Sequence, residues 1–192
     1  RKFPQSEHVS AAVLAAGKSF YLAGATAPAE KWLARAAKLS GDESLEASHW
    51  QARLDIQAGR AAEAIPTLQK AIARAGGNSL MPQLQLDLAD ALYELPPRRP
   101  EALEHYAQIA ARYADHELAP QACYLAAFTA LDVKDYQNTR RHVGRFLDAH
   151  SDHELRPDVM AILAECQFQQ GQLGEAFTSW RQLLDEYRER PE

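Results

Sequence analysis

Seven histidines and two cysteines are the residues of this chain that could bind a metal or act as nucleophiles. His150 and His153 stand three residues apart with Asp152 between them, and His116 lies in a similar stretch of sequence. Two imidazoles at this spacing share a metal only on a helix or a suitably shaped turn. No HExxH or CxxC pattern occurs. We therefore predict no metal site, and expect these histidines in solvated turns where Asp115 and Asp152 bond to nearby backbone N–H groups.

The two cysteines, Cys123 and Cys166, fall within apolar helical segments, so we expect buried, unreactive thiols. A nucleophilic thiol needs a base close in space, and the sequence places none beside either. Their different heights along neighbouring helices disfavour a disulfide. Gly76-Gly77-Asn78 is typical of a helix C-terminal stop and not of a phosphate-binding loop. The sequence predicts no catalytic residue, no cofactor and no enzymatic activity.

The composition is that of a folded globular chain. Of 192 residues, 46% are hydrophobic and 24% are charged, which argues against a largely disordered protein. The 21 Lys and Arg against 26 Asp and Glu give a net charge of -5, which argues against a nucleic-acid partner. We interpret the cluster of Arg140, Arg141 and Arg145 as a solvated convex face. No apolar stretch is long enough to predict a transmembrane segment.

The hydrophobic pattern predicts helices and no strands. Good helix formers dominate, and apolar residues recur at steps of three and four. Near the end of the chain, Gly171 separates two such runs and predicts a turn between two short helices. The first run contains Met160, Leu163, Ala164 and Phe168, and the second contains Ala176, Phe177, Trp180, Leu183 and Leu184.

One turn sequence is repeated within the chain. Residues 115–120 read Asp-His-Glu-Leu-Ala-Pro, and residues 152–157, 37 positions later, read Asp-His-Glu-Leu-Arg-Pro. Pro82 lies 38 residues before Pro120. Because proline suits the first turn of a helix, each of these prolines is expected to open a helix. The spacing predicts five helix-turn-helix units at residues 6–41, 42–79, 80–116, 117–153 and 154–190.

Small residues recur where the two helices of each unit would touch. They are Gly17, Ala52, Ala127 and Ala164 in the first helices and Ala29, Ala64, Ala102 and Ala176 in the second, with Asp90 and Thr139 as departures. This pattern resembles the tetratricopeptide repeat (TPR) family over nearly the whole chain. The resemblance implies an all-α fold, an α-solenoid of about five hairpins in a right-handed superhelix. An ordinary helical bundle or a HEAT-type solenoid are the alternatives, but a bundle does not explain a turn repeated at a fixed interval.

We expect residues 1–192 to form one array that is a section of a longer one. Ser6 is a candidate N-cap of the first helix. The sequence Tyr-Arg-Glu-Arg-Pro at 187–191 is typical of a connection to another repeat and not of a polar terminal cap.

In the TPR family the first helix of each hairpin lines a concave groove, and the resemblance therefore implies a set of groove residues for a protein partner. By helical register these are Lys18, Tyr21, His49, Arg53, Gln57, Asp87, Glu94, Tyr124, Phe128, Glu165 and Phe168, with Ala91, Leu131 and Gln169 beside them.

The function that follows from the resemblance is a non-catalytic protein-interaction scaffold. A structural spacer or oligomerisation module is the alternative. The long turns between units resemble those of bacterial periplasmic proteins of outer-membrane assembly, Tol–Pal systems and exopolysaccharide export. We therefore expect a periplasmic location, with a cytoplasmic TPR adaptor as the alternative.

Overall fold

The computed structural model describes residues 8–188, and all regular secondary structure within that range is helical. The all-α fold is therefore confirmed, whereas Ser6 lies outside the described residues. No helix in the described range is both long and apolar enough to cross a membrane. The helices are α1 His8–Leu22, α2 Thr26–Ala36, α3 Asp42–Gln57, α4 Ala61–Ala75, α5 Met81–Tyr93, α6 Arg99–Arg112, α7 Ala119–Asp132, α8 Tyr136–Ala149, α9 Arg156–Gln169 and α10 Leu173–Tyr187.

The chain divides into two compact units, one up to Pro96 and one from Pro97. In the first unit α1 pairs with α2 and α3 pairs with α4, and α5 packs against both α4 and α3. In the second unit α6 packs against α7, α7 pairs with α8, and α9 pairs with α10. The predicted repeat at residues 80–116 thus contributes α5 to the first unit and α6 to the second, with a short 3-10 helix, Pro96–Arg98, before α6.

Small side chains lie at the helix contacts, as the sequence predicts. A Cβ atom added to Gly17 would lie 2.6 Å from Cδ2 of Leu33 in α2. The third repeat corrects the prediction, because Asp90 is only half-buried, whereas the preceding residue of α5, Ala89, is a fully buried small residue. In α8 the small-residue position is held by Thr139, whose buried hydroxyl donates to the carbonyl of Asp135 at 2.9 Å. That bond satisfies the polar group within its own helix turn.

The three prolines open helices as expected. Pro82, Pro120 and Pro157 are each the second residue of a helix, in α5, α7 and α9. At this position the missing N–H costs no intrahelical hydrogen bond, because the first N–H groups of a helix have no partner within it.

The repeated turns before α7 and α9 are closed by their histidines. Nδ1 of His116 accepts a hydrogen bond from the backbone N–H of Leu118 at 3.2 Å. Nδ1 of His153 accepts one from Leu155 at 3.1 Å. In each turn the half-buried histidine accepts the backbone N–H that lies two residues after it. The prediction that Asp115 and Asp152 would make these bonds is therefore wrong. The preceding aspartates are exposed.

The turn before α5 contains the same hydrogen bond, but a different side chain accepts it. Oδ1 of Asn78 accepts the backbone N–H of Leu80 at 2.8 Å. Asn78 lies 38 residues before His116 and therefore occupies the same place in its repeat.

Replacing Gly17 by alanine tests the helix contact. Alanine is the better helix former by about 1 kcal/mol, but its Cβ would lie 2.6 and 2.9 Å from Cδ2 and Cγ of the fully buried Leu33. Overpacking costs about 1–3 kcal/mol, so we expect Gly17→Ala to lower the free energy of unfolding in urea. Gly144→Ala in α8 is the control, because nothing lies within 4 Å of its added Cβ. A rise in stability for both variants would show that the Gly17 contact is not tight.

Replacing His116 tests the turn. His116→Ala removes the acceptor for the Leu118 N–H and should destabilise the chain by about 1 kcal/mol. His116→Asn should retain most of the stability, since Asn78 already serves this position. Thermal and urea unfolding of the two variants check the prediction, and equal losses would contradict it.

Candidate binding surface

The first helices of the repeats lie side by side within each compact unit. In the first unit α3 packs against both α1 and α5, and in the second α7 packs against α9. We call the predicted groove positions of the first unit and their neighbours the α1–α3–α5 surface: Lys18, Tyr21, Glu46, His49, Trp50, Arg53, Gln57, Gln83, Asp87 and Glu94. The α7–α9 surface comprises Tyr124, Phe128, Asp158, Glu165, Phe168 and Gln169.

An ion pair and an aromatic pair join α1 to α3. Nζ of Lys18 lies 2.5 Å from Oε1 of Glu46 and 5.5 Å from the centre of the Trp50 ring. The rings of Tyr21 and Trp50 are 5.1 Å apart. Burial alone would raise the pKa of Glu46, but hydrogen bonds from Lys18 and Trp50 lower it below its usual value. The Glu46 carboxylate is therefore charged and already bonded to residues of this surface.

A fully buried carboxylate, that of Asp87, joins α3 to α5. Its Oδ2 lies 2.5 Å from Nδ1 of His49, and its Oδ1 lies 3.7 Å from Nη1 of Arg53. The side-chain amide of Gln83 donates to the same Oδ1 at 3.3 Å. This corrects the expected exposure of Asp87 and His49, because both are buried beneath the surface. The neighbouring position in α5, Ala91, is also buried.

Arg53 lies near the buried Asp87, although its own side chain is 40% exposed. Burial alone would lower the pKa of Arg53, but a hydrogen bond to Tyr21 and the charge of Asp87 raise it above its usual value. Gln57 and Glu94, at the C-terminal ends of α3 and α5, are exposed.

The α7–α9 surface is apolar where the first unit is polar. Phe128 is 38% exposed and Phe168 is 56% exposed, on two helices that pack against each other. The rings of Tyr124 and Phe128 stack with their centres 6.2 Å apart. Leu131, one turn further along α7, is half-buried.

Two carboxylates lie on α9 of the same surface. Oε1 of Glu165 accepts a hydrogen bond from the Gln169 side chain at 2.8 Å. Partial burial raises the pKa of the Tyr124 hydroxyl, and the negative charge of Asp158 raises it further. Asp158 and Glu165 thus place two carboxylates on α9, the helix that also carries Phe168.

The residues considered for chemistry are placed elsewhere. Both cysteines are buried and unpaired, as expected, and burial raises the pKa of the Cys123 thiol to about 11. Between residues 8 and 188 no group of three or more His, Cys, Asp or Glu side chains could hold a metal ion. The expected absence of catalysis remains a prediction.

The three arginines of the cluster on α8 are all exposed, as the predicted solvated face requires. Arg140 hydrogen-bonds Gln170 in the turn after α9. His142 is buried, and burial together with the charges of Arg141 and Arg145 lowers its pKa to about 4, so its imidazole is neutral.

Sequence reasoning missed Glu46, Trp50, Gln83 and Asp158. Glu46 and Trp50 are four residues apart, and the indole N–H donates to Oε1 of Glu46 at 3.3 Å. Such i, i+4 pairs are visible in a sequence. The Glu46–Trp50 pair was hidden because the sequence of α3 contains two overlapping apolar stripes, and so its helical register could not be decided. Residues of both stripes are buried: Leu45 and Ala52 from one, Ala47 and Leu54 from the other.

Comparison with solved structures identifies the fold. No protein-family model and no curated protein matches the sequence. A Podosopora anserina protein with nearly identical TPR-like repeats is 19% identical, with a TM-score of 0.78 over 97% of this chain and 100% of that chain. A thermophilic TPR protein from Thermus thermophilus is 17% identical, with a TM-score of 0.61 over 94% of this chain and 93% of that one. MamA is 10% identical, with a TM-score of 0.74 over 96% and 95%. These similarities show that the chain has the all-α helical repeat fold of TPR proteins.

Replacing Asp87 tests the buried network. Asp87→Ala leaves His49 and Arg53 without their shared anion, and we expect a loss of about 2–3 kcal/mol in the free energy of unfolding. Glu46→Ala breaks a partly exposed pair and should cost less than about 1 kcal/mol. Urea unfolding of the two variants under the same conditions compares these costs, and similar values would contradict the assigned role of Asp87.

Proposed function

We propose that this chain is a non-catalytic scaffold that binds a protein partner on the surface formed by its first helices. The observation that carries the proposal is the exposure of Phe128 and Phe168 on adjacent helices. Apolar rings on a repeat surface gain free energy when a partner removes them from water. The TPR fold supports this function, because its stacked helices offer an extended surface for a polypeptide.

The α7–α9 surface is better suited to a partner than the α1–α3–α5 surface. In the first unit Lys18 is paired with Glu46, and Arg53 and His49 are paired with Asp87. A partner would have to break these contacts before it made its own. The α7–α9 surface instead offers two exposed rings, and α9 also carries the carboxylates of Asp158 and Glu165. We infer a partner segment with apolar side chains flanked by Lys or Arg.

The compartment is a further part of the proposal. The resemblance of the long turns to those of bacterial envelope proteins supports a periplasmic array, including one that belongs to an exopolysaccharide-export protein. Fractionation of the native host, with detection of the protein in the periplasmic or the cytoplasmic fraction, distinguishes this location from that of a cytoplasmic adaptor.

The binding proposal is tested with peptides selected on the immobilised chain from a displayed random library. We expect the selected peptides to combine apolar and basic residues. Phe128→Ala and Phe168→Ala should each weaken binding about thirtyfold, or ~2 kcal/mol, in fluorescence anisotropy titrations. Phe20→Ala is the matched control, because it removes from α1 a ring whose exposure, 36%, is close to the 38% of Phe128.

Two results would contradict the proposed surface. One is a set of peptides whose affinity is unchanged by both α7–α9 variants. The other is affinity lost instead in Arg53→Glu, which would place the partner on the α1–α3–α5 surface.

A further inference from the structure

The turns that lead into α5, α7 and α9 share the same backbone hydrogen bonds. In each turn one residue accepts, at its carbonyl oxygen, the N–H three positions later, at 3.0 Å for Asn78, 2.9 Å for His116 and 3.0 Å for His153. The same three residues donate their own N–H to the carbonyl three positions earlier, at 2.8, 2.9 and 3.1 Å. The backbone of the three turns is therefore alike, and the side chain at this position is what differs.

That side chain makes one more hydrogen bond, to the backbone N–H of the N-cap residue of the following helix. The donors are Leu80, Leu118 and Leu155. Because an N–H group only donates, the acceptor must offer a lone pair. The amide oxygen of Asn78 offers one whether the solution is acidic or neutral. The Nδ1 atoms of His116 and His153 offer one only while they carry no proton.

The histidine version of this bond is sensitive to mild acid. An imidazole ordinarily gains its second proton at about pH 6.5. Both ring nitrogens are then donors, so Nδ1 no longer accepts the backbone N–H and the bond is lost. The added positive charge also lies beside the N-terminal end of a helix, where the helix dipole disfavours cations. Protonation of the ring thus releases the N-cap N–H of the helix that follows.

Nearby carboxylates offer the protonated rings a different partner. Exposed acidic residues stand on both sides of each histidine in the sequence: Asp115 and Glu117 for His116, and Asp152 and Glu154 for His153. Carboxylates ordinarily remain charged between about pH 5 and 7, and they form strong hydrogen bonds with an imidazolium. A protonated ring therefore gains by turning away from the N–H, and the backbone bonds of the turn need not break.

The end of α8 brings an aromatic ring and a second imidazole beside His153. The ring centres of Phe146 and His153 are 5.9 Å apart, and those of His150 and His153 are 6.5 Å apart. Burial lowers the pKa of His150, and the charge of His153 lowers it further. A proton on His153 therefore opposes a second one on His150.

The helices next to the two turns add arginines that have partners of their own. At the end of α6 the guanidinium of Arg112 lies 5.7 Å from the centre of the Tyr113 ring. At the start of α9 Arg156 forms an ion pair with Glu186 of α10. The first three residues of α7 are Ala-Pro-Gln and carry no charge. The acceptor role of His116 and His153 is thus the property of these turns that a proton changes directly.

We propose that His116 and His153 make the starts of α7 and α9 sensitive to pH, whereas Asn78 leaves the start of α5 insensitive. Near neutral pH the unprotonated rings hold the N–H groups of Leu118 and Leu155. In mild acid these two N–H groups are released, and the first turns of α7 and α9 lose order. Since these helices carry the α7–α9 surface, acid is expected to weaken a partner bound there, a consequence that rests on the proposed function.

Hydrogen exchange of backbone amides, followed by NMR on the whole chain without a partner, tests the proposal. Each exchange rate is compared with that of an unstructured chain at the same pH, which gives a protection factor. Between about pH 7.5 and about pH 5, we expect the protection of Leu118 and Leu155 to fall about tenfold, as for the loss of one hydrogen bond. The protection of Leu80 should not change, and it is the internal control.

Asparagine variants assign the effect to each ring. In His116→Asn, Leu118 should stay protected at both pH values while Leu155 still responds, and His153→Asn should give the reverse. His150→Asn is the matched control, because it removes a neighbouring imidazole and leaves the acceptor His153 in place. Both responses should persist in this control. Helical circular dichroism checks that each variant is folded.

Three results would overturn the proposal. The first is equal protection of Leu118 and Leu155 at the two pH values in the wild-type chain. The second is a matching fall at Leu80, since acid would then act on the chain as a whole. The third is a response of Leu118 that persists in His116→Asn. The wild-type chain alone supplies the first two comparisons, so they do not depend on the folding of any variant.

Discussion

The close approach of paired helices is the constraint on which the other features of this structure depend. At Gly17 there is no room for a single extra carbon beside Leu33. Ala52, Ala127 and Ala164 occupy the equivalent place in later first helices and are fully buried. Because these contacts fix how each pair of helices packs, they also determine which side chains of a first helix meet the next one. The ion pairs of the first unit and the aromatic rings of the second are positioned in this way.

Much of the fold could be predicted because the repeat consists of residues with local effects. Proline marks the start of the first helix in three repeats, and these prolines located α5, α7 and α9 to within a residue. The error at Asp90 has a local cause, since the 3-10 helix at Pro96–Arg98 changes the spacing between α5 and α6. The small-residue position of α5, when it is counted backward from that turn, therefore falls on Asp90, one residue after Ala89.

The binding surfaces were less predictable, because burial depends on the neighbouring helix. Helical spacing predicts that Asp87 on α5 and Arg53 on α3 both face the groove. Only the packing of α3 against α5 shows that the Asp87 carboxylate is enclosed. The apolar pattern of α10 likewise predicts that Phe177 is packed, but the side chain is 66% exposed. The two first-helix surfaces consequently differ in a way that composition does not show. One consists of polar groups that satisfy each other, and the other presents rings to water.

The burial of both thiols makes the chain convenient for spectroscopy. Cys123 and Cys166 are enclosed, and burial raises the pKa of each thiol above its usual value. Very little reactive thiolate is therefore present at neutral pH. A cysteine introduced at an exposed position would be alkylated far faster than either native one. A fluorophore or spin label can thus be attached at a chosen point without first removing the natural cysteines.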